Sequence, residues 1–197
     1  MARWQPSRAD VIAEYAREVL EVHPRGRILV GLDGIEDPDG AAPSGRERFA
    51  ADLAAAFEAE GVPAIAVPMG AFAAEPRATD PERFFDEDRF RAEVLAPYRA
   101  DRPVRGFEPG DRAVLVASGP FLHFPPYSGM WHTSAWLQVP REVAAARDAE
   151  RLPGVDPAPW AALVDLAFRR LDARKSANAS FDLTDPVHPR RRFEDAC

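Results

Sequence analysis

The segment Gly40-Ala41-Ala42-Pro43-Ser44-Gly45-Arg46-Glu47 sets two glycines five positions apart, directly ahead of a helical pattern. Glycines at that spacing let successive backbone N–H groups curl round a phosphate, while the helix behind them turns its positive end toward the anion. A phosphate-binding loop of this kind continues with a lysine for the phosphate charge and a hydroxyl for Mg²⁺. Here those two positions are Arg46 and Glu47. Two glycines alone also suit a plain turn before a helix. The candidate anion ligands are therefore Gly40, Ser44, Gly45, Arg46 and Glu47, with no metal ligand assigned. Pro43 has no N–H to offer a phosphate, and Glu36, Asp37 and Asp39 just upstream read as a solvated acidic loop.

A second chemistry to weigh is nucleophilic. Ser118-Gly119 follows an apolar run, and His123 and His132 lie beyond it. The surrounding Val116-Ala117-Ser118-Gly119-Pro120 lacks the strained GxSxG elbow, and no acid is evidently placed to orient either histidine. No catalytic residue is assigned. Phe121, Phe124, Tyr127 and Trp131 in the same stretch either line a pocket or cover the sheet. Arg190-Arg191-Arg192 reads as a solvated tail.

Composition narrows the classes. The chain has 197 residues, of which 46% are hydrophobic and 29% charged, enough for one domain with a full core. No apolar run approaches the ~20 residues of a membrane span. The formal net charge of −7 opposes nucleic-acid binding, which draws its affinity from neutralised phosphates. The single cysteine, Cys197, excludes an internal disulfide or a CxxC metal site. A cytoplasmic protein is expected, with no nucleic acid or membrane among its partners and any protein partner unknown. Of 25 basic residues the only lysine is Lys175.

The elements that must position these residues follow from periodicity. Ser7 and Asp10 open a helix carrying Val11, Ile12, Tyr15, Ala16, Val19 and Leu20, which should stop at His23-Pro24-Arg25-Gly26. Ile28-Leu29-Val30 reads as a buried strand. Phe49, Leu53 and Phe57 mark a helix from Gly45, closed by Gly61. Ala64 to Val67 is a strand, and a helix around Phe90, Val94 and Leu95 is expected to end at Pro97. Ala113 to Ala117 is continuous and apolar, as in a strand covered on both faces. Ala135 to Val139 is a further strand, with Pro140 in the first turn of the next helix. A helix bearing Trp160 to Leu171 and a strand from Ala179 to Leu183 complete the alternation. The 20 prolines sit mostly at element ends. Strands separated by helices predict a three-layer α/β domain with a mostly parallel sheet. Residues 1–26 are expected as an N-terminal helix packed on a domain formed by 27–197.

From Arg27 onward the order of motifs resembles the uridine-kinase-like P-loop kinases. Arg27-Ile28-Leu29-Val30-Gly31-Leu32-Asp33-Gly34 followed by Ser44-Gly45-Arg46-Glu47-Arg48-Phe49-Ala50-Ala51-Asp52-Leu53-Ala54 is similar to that family's strand, Asp-Gly, Gly-Lys-Thr-Thr and Phe-Ala-x-x-Leu-Ala. Phe84-Phe85-Asp86-Glu87-Asp88 through Pro97 resembles its aromatic-acidic helix entry. Val114 through Leu122 resembles its strand ending in Asp-Gly-Val-Phe-Leu, and Leu137-Gln138-Val139-Pro140 its Leu-Asp-Val-Pro segment. Asn178 to Pro189 resembles its last strand. The resemblance implies a P-loop NTPase-like fold, ATP and Mg²⁺ as cofactors, and a phosphate contact from Arg147, in the position of the family's lid arginines.

The family's chemistry is missing at each point where it would be needed. Arg46 replaces the lysine with a planar fork, and Glu47 replaces the hydroxyl that holds Mg²⁺ with a group that repels phosphate. The loop between Gly34 and Gly45 is several residues longer than the pattern. Met69-Gly70-Ala71-Phe72 stands where the acid-rich end of the second strand supplies the base, and Ala117-Ser118 where a strand-end acid belongs. The expectation is a non-catalytic or weakly active nucleotide- or phosphate-binding pseudokinase with a small-molecule or nucleotide ligand. The alternatives are an active nucleoside or small-molecule kinase using Arg46 and Glu47, and an interaction protein that binds no nucleotide. Arg46 is expected to face a bound anion, so that Arg46→Ala would abolish anion-dependent stabilisation while barely changing the ligand-free protein.

Overall fold

The longest apolar runs become the centre of the sheet. In the computed structural model, which describes residues 6–38, 43–76 and 78–193, β1 (Arg27–Asp33) and β3 (Ala113–Ser118) lie side by side with Ile28 opposite Val114 and Val30 opposite Val116. β2 (Ala64–Pro68) flanks β3, while β4 (Thr133–Gln138) and then β5 (Ala179–Asp182) extend the other side, all parallel. The strand order is β2-β3-β1-β4-β5-β6, the last strand, Arg190–Arg192, being antiparallel to β5.

Strand side chains alternate between the two faces. Ile28, Val30, Leu32, Val114 and Val116 face a layer that holds α1 (Arg8–Val22) and α2 (Gly45–Ala59), with Tyr15, Phe49, Leu53 and Phe57 buried between. Leu29, Leu115 and Ala117 face an aromatic layer with Phe72, Phe84, Phe90, Tyr98 and Tyr127, closed by Leu163 and Val164 of α6 (Ala158–Arg170). This is the expected three-layer α/β arrangement. At Gly31 the Trp131 indole lies so close that an added Cβ would sit 2.7 Å from it. The aromatic loop thus covers the sheet: Phe121, Phe124 and Tyr127 are buried.

α1 opens on a capping box, Ser7 N–H donating to Asp10 Oδ2 (3.0 Å) while Asp10 N–H donates to Ser7 Oγ (3.2 Å). Its apolar stripe, Val11 to Val19, joins the core of α2 and β1. The helix around Phe90 runs on past Pro97, contrary to expectation. α3 (Glu87–Phe90) widens into a π turn over Arg91–Leu95 and continues as α4 (Ala96–Arg99). A widened turn changes which carbonyls need donors, so a proline can sit inside a continuous helical path. Pro140 caps α5 (Arg141–Arg151) from just outside its first turn. The short helix α7 (Ala173–Ser176) leads into β5.

The arginine run is an edge strand and not a solvated tail. Arg191 lies over the rings of Tyr15 (5.3 Å) and Phe181 (5.0 Å) and forks onto the Glu18 carboxylate at 2.9 and 3.0 Å. An arginine stem and its flat guanidinium cover aromatic surface while the charge stays paired. No helix among the described residues is long and apolar enough to cross a membrane.

His132 bridges the start of β4 to β1: its ring Nδ1 accepts from Leu29 N–H (2.9 Å) and its backbone N–H donates to Leu29 O (2.9 Å). An accepting Nδ1 needs a free lone pair, so the ring is neutral. Burial, aided by His23 and Arg99 nearby, holds its pKa below the ordinary 6.5. A folded pKa below the unfolded one gives stability that is complete above 6.5 and is lost as pH falls toward the folded value. Urea midpoints should therefore drop between about pH 7.5 and about pH 5.5, and His132→Gln, which keeps an acceptor without the titration, should shrink that drop. An equal drop in both proteins would contradict this.

Candidate functional site

β1 ends in Asp33 and the chain reaches α2 through residues 34–44, of which Gly40 and Asp39 lie outside the described residues. Ser44 caps α2 in a second capping box: Glu47 N–H donates to Ser44 Oγ (3.3 Å) and Ser44 N–H donates to Glu47 Oε2 (2.8 Å). Glu47 thus turns back onto the loop, its carboxylate satisfying one of the backbone donors that a phosphate would otherwise use. A second carboxylate serves another. Glu36 Oε2 accepts from Arg46 N–H (3.1 Å), and it lies so close to Gly45 that an added Cβ would be 2.9 Å away. The group that sits against Gly45 is thus an anion. That anion is a side chain of the same loop.

Arg46 is 1% exposed. Its Nη1 donates to the carbonyls of Gly34 (3.0 Å) and Glu36 (2.9 Å), and its Nε and Nη2 are buried with no partner among the described residues. Burial pulls its pKa down, and the charges of Glu36, Glu47, Asp33 and Asp148 oppose that shift. A cavity of about 420 Å³ opens in front of α2, with Glu36, Ser44, Gly45, Arg48, Arg147 and Arg151 in its wall. Arg46 is not in that wall. Its fork holds the loop's backbone from below, so the anion-facing orientation expected from the sequence is not the one adopted.

α5 supports the loop from the other side. Arg147 Nη1 is 3.7 Å from Glu36 Oε1, and its Nη2 donates to the carbonyls of Leu183 and Thr184, each at 3.0 Å. The expected phosphate contact of Arg147 is thus made to a carboxylate. Asp148 Oδ2 accepts from Asp37 N–H (2.9 Å) and Oδ1 pairs with Arg151 (2.8 Å). Burial raises the Asp148 pKa, opposed by those two bonds. Arg151 also donates to Asp37 O, and Trp160 Nε1 of α6 donates to Ile35 O (3.0 Å). Glu36 and Asp37 are each 3% exposed. They are not the solvated acids that a polar, proline-containing loop predicts. The cations that bury them come from α2 and α5.

The other strand ends carry no free acid either. Met69 and Phe72 after β2 are buried, and so is Ser118 at the end of β3. His123 does have an orienting acid, which the sequence did not reveal. Asp33 Oδ2 lies 2.8 Å from its Nδ1, and Ser134 Oγ lies 3.0 Å from its Nε2. All three are buried. Asp33 also accepts from the N–H groups of Gly34 (2.7 Å) and His123 (3.2 Å), and Ser134 N–H donates to Asn178 Oδ1 (2.9 Å). The chain of bonds ties β1, β4, the aromatic loop and the residue before β5 together. It is the geometry of an acid–base–hydroxyl relay put to use inside the fold. The serine is Ser134 and not the Ser118 suggested by the sequence. Among the described residues no three metal-ligating side chains converge.

Arg46 is a buried cation compensated by the nearby charges of Glu36, Asp33 and Asp148, all buried, and of the half-buried Glu47. Removing one partner of such a cluster costs about 3–5 kcal/mol, so Arg46→Ala should lose a comparable amount in urea unfolding of the ligand-free protein. A loss below about 1 kcal/mol would mean that the guanidinium is not holding the loop. His123→Ala, which leaves Asp33 two backbone donors but no ring, should cost about 3 kcal/mol by the same measurement.

No family model matches the chain, and no curated protein matches it. Solved structures do. One is a provisionally assigned fructose transport system kinase from Silicibacter sp. TM1040, 26% identical, with a TM-score of 0.54 over 84% of this chain and 94% of that one. Another is a possible uridine kinase from Bacillus stearothermophilus, 15% identical, with a TM-score of 0.61 over 88% of this chain and 98% of that one. Kinases with a phosphate loop use a nucleotide and Mg²⁺, and the residues present here do not fit that pair. One carboxylate already lies on the N-terminus of α2, and another replaces the hydroxyl that would hold the metal. The chain shares the uridine-kinase-like fold of these structures, a mostly parallel sheet of six strands between two layers.

Proposed function

We propose that this protein is a pseudokinase, a kinase-fold protein that no longer transfers phosphoryl groups and serves a binding or regulatory task. The observation that supports the reading is the state of the acids at the carboxyl edge of the sheet. Asp33 is bonded to His123, Glu36 to the start of α2, Glu47 to Ser44 and Asp148 to Arg151. Phosphoryl transfer is positioning plus charge: it needs a base free to meet the acceptor and a ligand free to hold Mg²⁺. A carboxylate already committed to a buried backbone or side-chain donor serves neither end. An active kinase using Arg46 and Glu47 would need both to turn outward, at the cost of the loop they hold.

The ligand class is a small anionic molecule, since Arg48, Arg147 and Arg151 line the cavity beside Glu36 and Glu150. Nucleic acid is disfavoured by the net charge of −7. The protein's place is taken as the cytoplasm, and no protein partner is assigned.

The test is turnover. With Mg·ATP and uridine, cytidine, pantothenate or fructose as acceptor, the purified protein should give no product above the rate without enzyme, where kinases reach about 1–100 s⁻¹. A rate above ~1 s⁻¹ on any of them would overturn the reading.

A further inference from the structure

We infer that Glu36 is a resident ligand of the anion site: its carboxylate fills an anion-binding position at the start of α2 that opens when the side chain leaves. This rests on the pseudokinase reading and adds to it what closes the site. Four observations carry the inference. The carboxylate accepts from Arg46 N–H at 3.1 Å, in the first turn of a 15-residue helix, where free N–H groups and the helix dipole favour an anion. Gly45 leaves just the room that the carboxylate occupies, with 2.9 Å to an added Cβ. Arg147 stands 3.7 Å from Oε1. Arg151 lines the same cavity, its side chain 92% buried, and its Nη1 has no partner among the described residues. An N–H donor, the helix dipole and the Arg147 guanidinium thus meet at this carboxylate, with Arg151 in the wall of the same cavity.

Vacating the site needs only a side-chain rotation. The backbone on either side is fixed, Ile35 O by Trp160, Glu36 O by Arg46 and Asp37 N–H by Asp148. An incoming phosphate must therefore compete with a carboxylate tethered a few bonds away, and a tethered competitor acts at a high effective concentration. Charge adds to the competition, because a phosphate entering beside Glu36 meets a like charge in a partly buried cavity.

The probe is inorganic pyrophosphate, titrated by calorimetry without nucleotide. Glu36→Gln keeps the shape and the acceptor oxygen but removes the charge and weakens the hold on the helix end. It should bind pyrophosphate at least ~tenfold more tightly than the parent, and Arg147→Gln in that background should remove most of the gain. Neither protein should gain phosphoryl transfer. If Glu36→Gln does not fold, as judged by circular dichroism, Glu36→Asp is titrated instead. Its carboxylate is one methylene shorter and withdraws from Gly45, and a gain of the same direction is expected. Equal affinity of parent and folded variant, whether both bind or neither does, overturns the inference. Turnover by the parent would overturn the pseudokinase reading instead, so the two fail separately.

Discussion

The carboxyl edge of this sheet is organised by one buried cation. Arg46 reaches back under its own helix and takes the carbonyls of Gly34 and Glu36 on a single nitrogen. A guanidinium taken out of water is tolerated only if charge compensates it, and Asp33, Glu36, Glu47 and Asp148 supply that charge. The loop's path follows. With the carbonyl of residue 36 drawn inward, its side chain is directed over the start of α2, and Arg147 meets it there. Asp148 and Arg151 then fasten the next residue.

The arrangement inverts the economy of a phosphate loop. Such a loop keeps its N–H groups empty and a flexible ammonium beside them, so that binding an anion completes the structure. Here the anion and the cation at the start of α2 both belong to the chain. The rest of the fold tolerates the change because the two apolar layers are built from strand and helix interiors that end below the edge. Residues such as Val30, Leu115, Phe49 and Phe57 bury the same surface whatever occupies the loop. The framework and the chemistry of the edge are separable for that reason: one is held by apolar burial on both faces of β1 and β3, the other by a few polar groups at their tips.

What was legible in the sequence follows the same division. The apolar runs of β1 and β3, the capping Ser7, and the four-residue spacing of Phe49, Leu53 and Phe57 depend on neighbours a few residues away, and they announce the elements directly. The order of motifs was enough for the fold, and the missing lysine, hydroxyl and strand-end acids were visible as absences. The loop was not legible. An acid among prolines and glycines reads as solvated, and Glu36 is buried only because Arg46 turns under it and Arg147 arrives from a distant helix. The relay of Asp33, His123 and Ser134 spans 90 residues of chain for its first bond, beyond any local pattern. β6 was hidden by its composition, since three consecutive arginines signal water unless a Tyr15 and a Phe181 lie underneath.

The central question is whether the proposed anion site of the native protein is already filled from within. Calorimetric titration of the unaltered chain with ATP, with and without Mg²⁺, addresses this most directly. The account predicts no saturable heat at nucleotide concentrations up to about 1 mM, the upper end of the range in which enzymes commonly work, and no enhancement by Mg²⁺. Saturable binding well below that concentration, strengthened by Mg²⁺, would show that the loop opens to a triphosphate unaided and would contradict it.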